Sequence, residues 1–453
     1  MGKYFEVIKK PVNRNKYDLD GIPHLREAIP LGLQHIFAMF LSNIAVPIII
    51  AGVVGISGKD LTVLVQSAMI MAGVATIIQC YPIWKIGAKL PVVMGTSFGF
   101  LPTNIAIASS YGISGLLGAS LIGGIFCAIL GFFLEPLRRF FPKIVTGTVV
   151  LTIGLSLLPT GIMAMAGGNG SADFGSLRNW LLALAVMSIV IILNRYARGM
   201  AKTSSILIAI IIGYIIALFL NMIDFSSIRE AAWFSVPSPL YFPLTFKLGA
   251  ILPLSIMYIV TAVETVGDVT AITMGGADRE PTDKELSGSI IANGLTSSLA
   301  SLFNGLPNTS FSQNVGMISF TKIMSRYVVA VGSVFLILAG LIPKFGAIIA
   351  TLPQSVIGGA SIIIFSQISL TGIEILTSEP LNERAKIIIG LSLVFGLGLN
   401  QVPAAMEAFP ELITLIFGES GIVIACLVAI VLNILIPESR EDKESSFNKQ
   451  TSN

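Results

Sequence analysis

Two carboxyls four residues apart, Glu264 and Asp268, share one helical face in an otherwise apolar stretch, VTAVETVGDVTAITMGG. They are the acidic residues at depth in the apolar runs of this chain. An ionised carboxylate at the centre of a bilayer costs at least ~2.5–3.5 kcal/mol, so each must face a cavity or meet a partner. A carboxyl that takes up and releases a proton is one use of such a pair; structural carboxyls bonded to neighbouring backbone are the other. A second polar cluster runs through LPNTSFSQNVGMISFTKIMSR, residues 306–326. There Asn308, Thr309, Ser310, Ser312, Gln313 and Asn314 follow a proline before any helical pattern returns. The side-chain amides of Gln313 and Asn314 donate and accept together. A planar heterocycle with alternating N–H and C=O edges matches a bidentate amide on one side and a carboxylate on the other. Phe98 and Phe100, in GTSFGF, offer aromatic faces to a flat ring, although Phe100 reads equally as packing. Gln34 and His35 form a polar pair in the first apolar run, where a lone His is more often an interhelical bond than a proton carrier.

The elements that position these groups follow from composition. The chain has 453 residues, 54% hydrophobic and 12% charged, with a mean hydropathy of +0.85; soluble domains carry roughly 25% charged residues. The expectation is an all-α polytopic membrane protein held in a lipid bilayer. A net charge of +3 is too weak to argue for nucleic acid. Cys80, Cys127 and Cys426 are isolated in apolar runs, and His24 and His35 cannot make a cluster, so no metal, disulfide or cofactor is expected. No nucleophile–base pair supports an enzyme. The polar first 28 residues contain no cleavable signal pattern.

Fourteen apolar runs approach the ~20 residues that span ~30 Å of hydrocarbon. They are 29–50, 61–80, 92–110, 113–134, 144–166, 178–194, 204–222, 248–274, 286–305, 307–325, 327–349, 354–376, 385–400 and 420–436. Residues 402–418 read as a short interfacial or re-entrant helix, and 438–453 as a disordered tail. With the N-terminus inside, all but five of the 28 Lys and Arg fall on cytoplasmic segments, leaving Lys59, Arg178, Arg229, Lys247 and Lys344 outside. Both termini are therefore expected in the cytoplasm.

The chain also repeats itself. Thr96-Ser97-Phe98 returns as Thr309-Ser310-Phe311, and Pro142-x-x-Val145-x-Gly147 returns as Pro353-x-x-Val356-x-Gly358 at nearly the same offset. Two matches in one order point to a duplicated unit of seven spans. Because seven is odd, the second copy enters from the opposite side, as a 7+7 inverted repeat of the kind secondary transporters use. The third and tenth spans, after Pro91 and Pro307, are the broken elements. Two short extended segments meeting there can pair as antiparallel strands, satisfying backbone groups that lipid cannot.

Gln313-Asn314-Val315-Gly316 followed by Thr321-Lys322 resembles the signature of the nucleobase/ascorbate transporter (nucleobase–cation symporter-2) family. The resemblance extends to Gln34-His35, residues 95–100 and ETVGD at 264–268, covers roughly 29–437, and is greatest to bacterial xanthine and uric acid permeases. It implies a core domain (29–140 and 245–350) moving against a gate domain (141–244 and 351–437), between a cytoplasmic lead at 1–28 and the tail at 438–453. It also implies a homodimer in the cytoplasmic membrane and uptake of a purine nucleobase with a proton. The family's substrate-binding glutamate falls on Glu264 and its purine-selecting amide on Gln313; Glu in the latter place is typical of uracil carriers and Pro of ascorbate carriers. Phe98 and Ser312 match backbone contacts to substrate, with Gly99 and Phe100 beside Phe98. Asp268, His35 and Asn314 match positions important for coupling or site architecture. Two positions depart from the pattern. Asn293 stands where many purine carriers have an acid, and Gly99 where xanthine carriers often have a polar side chain. The resemblance implies xanthine:proton symport, with uric acid and then uracil as alternatives; from a different class, an anion channel or exchanger of the same architecture remains open.

Overall fold

The computed structural model describes residues 16–133, 142–168, 170–378, 380–406, 408–409 and 421–436. The first fifteen residues of the lead, most of the 402–418 segment and the 438–453 tail lie outside the described residues. The apolar runs form helices, because a helix satisfies every backbone group within its own segment. In the first part of the chain these are α1 (Leu25–Val54), α2 (Gly58–Cys80), α3 (Leu101–Phe132), α4 (Lys143–Ser156), α5 (Leu158–Met165), α6 (Leu177–Tyr196) and α7 (Ser205–Phe219). In the second they are α8 (Leu248–Ala277), α9 (Asp283–Leu302), α10 (Ser312–Thr321), α11 (Arg326–Gly340), α12 (Pro343–Ala350), α13 (Gln354–Thr377), α14 (Glu383–Gln401) and α15 (Gly421–Leu435).

Among the described residues, seven helices are long and apolar enough to cross a membrane, counting α4 with α5, while α7 and α15 are shorter apolar helices. The chain is a multi-pass membrane protein. The boundary between the 92–110 and 113–134 runs falls at a kink in α3, where Gly112 leaves the helical region at φ 69, ψ 178; a glycine takes that conformation without steric cost. Two other runs differ from the hydropathy reading. The 144–166 run breaks at Leu157, just before Pro159. The 327–349 run is not one straight crossing: α11 and α12 meet at 83°. Pro343 opens α12 because it has no N–H to give a continuing helix.

The two broken segments meet in the interior. Strand β1 (Met94–Thr96) pairs antiparallel with β2 (Asn308–Ser310), with Met94 opposite Ser310 and Thr96 opposite Asn308. The ladder is too short to satisfy its own ends, so side chains take over. Asn43 Oδ1 accepts the Thr96 N–H at 2.8 Å, and Thr76 Oγ1 accepts the Met94 N–H at 2.8 Å. Ser297 Oγ accepts the Asn308 N–H at 3.0 Å and donates to its carbonyl at 3.1 Å. Gly95 is required here, since a Cβ would stand 2.6 Å from the Phe311 ring and 2.7 Å from Asn43 Oδ1.

Helix packing falls into two groups. In one, α3 lies against α8 and α9, and α11 lies against α1 and α2. In the other, α13 lies against α4, α5 and α6, and α15 lies against α14 and α4. Glycines allow backbones to touch inside each group: a Cβ on Gly32 would stand 2.6 Å from the Val328 carbonyl and 2.7 Å from Gly332 N. At the far end of α10, Lys322 closes the helix in the left-handed region at φ 58. Its ammonium donates to the Gly275 carbonyl and lies 3.6 Å from Asp278, tying α10 to the end of α8.

Gly332→Leu should therefore force α1 and α11 apart and destabilise the protein by about 1–3 kcal/mol or more. Gly390→Ala, where nothing lies within 4 Å of a new Cβ, should not. Thermal unfolding of the two variants in detergent checks this; equal melting temperatures would contradict the packing.

Candidate functional site

The strand pair ends where two helices begin, and a cavity of about 330 Å³ opens between those starts and their neighbours. Its volume is at the lower end of the ~300–1,000 Å³ typical of small-molecule sites. One wall comes from the broken segments and α8: Ser97, Phe98 and Gly99, then Ser310, Phe311, Ser312 and Gln313, with Glu264 between them. The facing wall comes from α4, through Val150 and Ile153, and from α13, through Gln367, Thr371 and Glu374.

The two acids of α8 are placed differently. Asp268 is consumed by structure. Its carboxylate accepts from Ser310 Oγ at 2.5 Å and Ser312 Oγ at 2.8 Å, holding the end of β2 to the start of α10. Glu264 is held by nothing: its Oε2 is buried with no hydrogen-bond partner among the described residues. Gly99 leaves the space beside it open, since a Cβ there would be 3.8 Å from Glu264 Oε2. A buried acceptor without a donor costs free energy, so a ligand N–H that reaches Glu264 recovers that loss. Gln313 is half-buried on the cavity wall. The first backbone N–H groups of α10 have no intrahelical acceptor, and its positive dipole end lies at the same wall.

Other residues singled out in the sequence support the site from behind. Asn314 Nδ2 donates to the His35 carbonyl at 2.9 Å and lies 3.1 Å from His35 Nδ1, which then accepts and leaves the ring proton on Nε2. This bond joins α10 to α1 and is buried; neither residue lines the cavity. Asn293 Nδ2 donates to Thr265 Oγ1 at 3.1 Å and to Thr309 Oγ1 at 3.4 Å, linking α9, α8 and β2. Phe98 lines the cavity and meets Phe365 of α13 edge-on, with ring centroids 4.9 Å apart at 85°. Phe100 is not among the residues that line the cavity; it is fully buried against Tyr258 with centroids 4.9 Å apart. The 3₁₀ turn at Phe98–Phe100 rotates the two phenylalanines to different sides.

The α13 wall was missed in the sequence. Gln367, Thr371 and Glu374 stand at i, i+4 and i+7, the spacing of one helical face, so the signal was present. Glu374 is also a third acid in the apolar runs, one turn from the end of its helix.

A helical membrane protein whose interrupted segments close on a polar cavity has the architecture of a membrane transporter. The fold is shared by the transmembrane domain of a cyanobacterial bicarbonate transporter, BicA, at TM-score 0.57 and 14% identity, over 91% of this chain and 98% of that one. It is shared as well by the murine anion transporter Slc26a9 in an inward-facing state, at TM-score 0.63 and 12% identity, over 90% of this chain and 68% of that one. Residues 26–405 match the family described as Permease family, and the chain belongs to it, among the nucleobase/ascorbate transporters. Similar members include a uric acid permease of Bacillus subtilis, PucK, 38% identical over 89% of this chain and 94% of that protein. A xanthine permease of the same organism is 38% identical over 90% and 93%, and the xanthine permease XanP of Escherichia coli is 33% identical over 94% and 95%.

Asp268→Ala should strand two hydroxyls that now donate to a carboxylate, at about 1.5–3 kcal/mol per bond. The expected result is a lower melting temperature and faster amide exchange across 308–314. Glu264→Gln, which has no partner to lose, should melt like the wild type; the reverse order would contradict this division of roles.

Proposed function

We propose that the protein carries a purine nucleobase, xanthine first and uric acid next, inward across the cytoplasmic membrane together with a proton. The observation that carries this reading is that Glu264 and Gln313 line one cavity at the meeting of the two broken segments. Glu264 accepts ring N–H groups, and Gln313 donates to a ring carbonyl while accepting a neighbouring N–H. Phe98 packs on the ring, and backbone groups at Phe98, Gly99 and Ser312 supply the remaining polar contacts. The xanthine and uric acid permeases among the relatives support the substrate class. Proton coupling rests on Glu264, with Asp268 holding the site's architecture, because Asn293 cannot titrate.

In this reading the chain has fourteen spans in a 7+7 inverted repeat, both termini cytoplasmic, and acts as a homodimer. The core domain (29–140 and 245–350) shifts as an elevator against the gate domain (141–244 and 351–437). The separation of helix contacts into two groups, one around α3 and α8 and one around α13, supports that division. An anion exchanger is the competing reading. It wants a cation at the helix ends, and no Lys or Arg among the described residues lines the cavity.

The test is uptake of labelled xanthine into proteoliposomes under an imposed pH gradient, with unlabelled urate and uracil as competitors. An acidic exterior should drive concentrative uptake and an acidic lumen should abolish it, and uptake indifferent to the gradient would sink proton coupling. Glu264→Gln should lower uptake about 100-fold, the size of one or two charge-assisted bonds. Gln313→Glu should weaken purine competition relative to uracil; an unaltered competition profile would refute its role in selection.

A further inference from the structure

The wall that faces Glu264 carries an acid of its own. Glu374 lines the cavity from α13, is exposed, and enters no ion pair among the described residues. Gln367 and Thr371 share its face, so α13 brings three polar side chains to the cavity beside Ile368 and Leu370. Seven residues of helix rise separate Gln367 from Glu374 by about 10 Å. A ring seated between Glu264 and Gln367 would therefore feel Glu374 through space. The last carbonyls of α13 lie just beyond it and add to the negative potential at that end. Rotation of α13 cannot turn the carboxylate away, because α4 holds the helix by backbone contact. A Cβ on Gly154 would stand 2.5 Å from Ser369 N, and one on Gly372 would stand 2.4 Å from Leu151 N.

We propose that Glu374 is a charge-selectivity residue that favours neutral nucleobases over anionic ones. The inference rests on the nucleobase reading above and sharpens it. Xanthine and urate differ in charge as well as in shape, urate being a monoanion near neutral pH. The positive end of α10 on the Glu264 wall attracts an anion, and a carboxylate on each wall with no basic side chain among the described lining residues opposes it, so Glu374 weights the balance against the anion.

The experiment measures inhibition of labelled xanthine uptake by unlabelled urate and by hypoxanthine, which is neutral, in proteoliposomes of the full-length protein. It compares wild type, Glu374→Gln and Glu374→Lys. Glu374→Gln should raise the potency of urate about threefold and Glu374→Lys about tenfold, with hypoxanthine changed less than twofold. The difference should shrink when salt is raised from about 0.05 M to about 0.5 M, as expected for a screened charge and not for a packing effect. Parallel changes for urate and hypoxanthine, or a urate-to-hypoxanthine ratio unmoved in Glu374→Gln, would overturn the inference while leaving the nucleobase reading intact. Wild-type protein that takes up no purine would overturn both. Melting temperatures of the variants identify a folding failure, and Glu374→Gln, which keeps size and polarity, then decides the question alone.

Discussion

Backbone that leaves a helix inside a membrane has no water to bond, and this protein meets that constraint with three residues from each broken segment. The β1–β2 ladder pairs their central groups, and Asn43, Thr76 and Ser297 close the ends that the ladder leaves open. Everything at the site depends on this small collar. It allows two helices to start in mid-protein, so their unpaired N–H groups face a shared cavity instead of lipid.

The same economy separates the acids of α8. One turn apart, they look interchangeable in sequence, yet Asp268 accepts from two hydroxyls while Glu264 keeps a buried oxygen unpartnered. The scaffold satisfies the first so that the second can stay unsatisfied. His35, Asn314 and Asn293 belong with Asp268. They bind the elements that bear the cavity wall to each other and do not reach the cavity.

Much of this was legible in the residues. The repeated Thr-Ser-Phe after proline marked both broken segments, and strand pairing followed from the need to satisfy backbone. Glu264 stood out because a carboxylate in an apolar run is costly, and Gln313 because amides cluster there. Phe98 and Phe100 could not be told apart in sequence because hydropathy and aromaticity carry no direction, whereas a 3₁₀ turn sends residues two apart to different sides. The bend between α11 and α12 was invisible for a similar reason: a sliding apolar window cannot distinguish a crossing from a helix laid across it. The α13 wall was passed over because Gln367 and Thr371 are individually ordinary and Glu374 lies near a helix end, where charge draws little notice.

The strand pair limits which changes the protein can survive. Side chains along a strand alternate in direction, so one inserted or deleted residue between 94 and 96 or between 308 and 310 would invert every face. Ser310 would turn from Asp268, and Gly95 would give up its narrow place beside the Phe311 ring to a residue with a Cβ. Loops between helices absorb changes in length; these six positions cannot. Descendants of this chain can vary the letters around the cavity, but they inherit its spelling length.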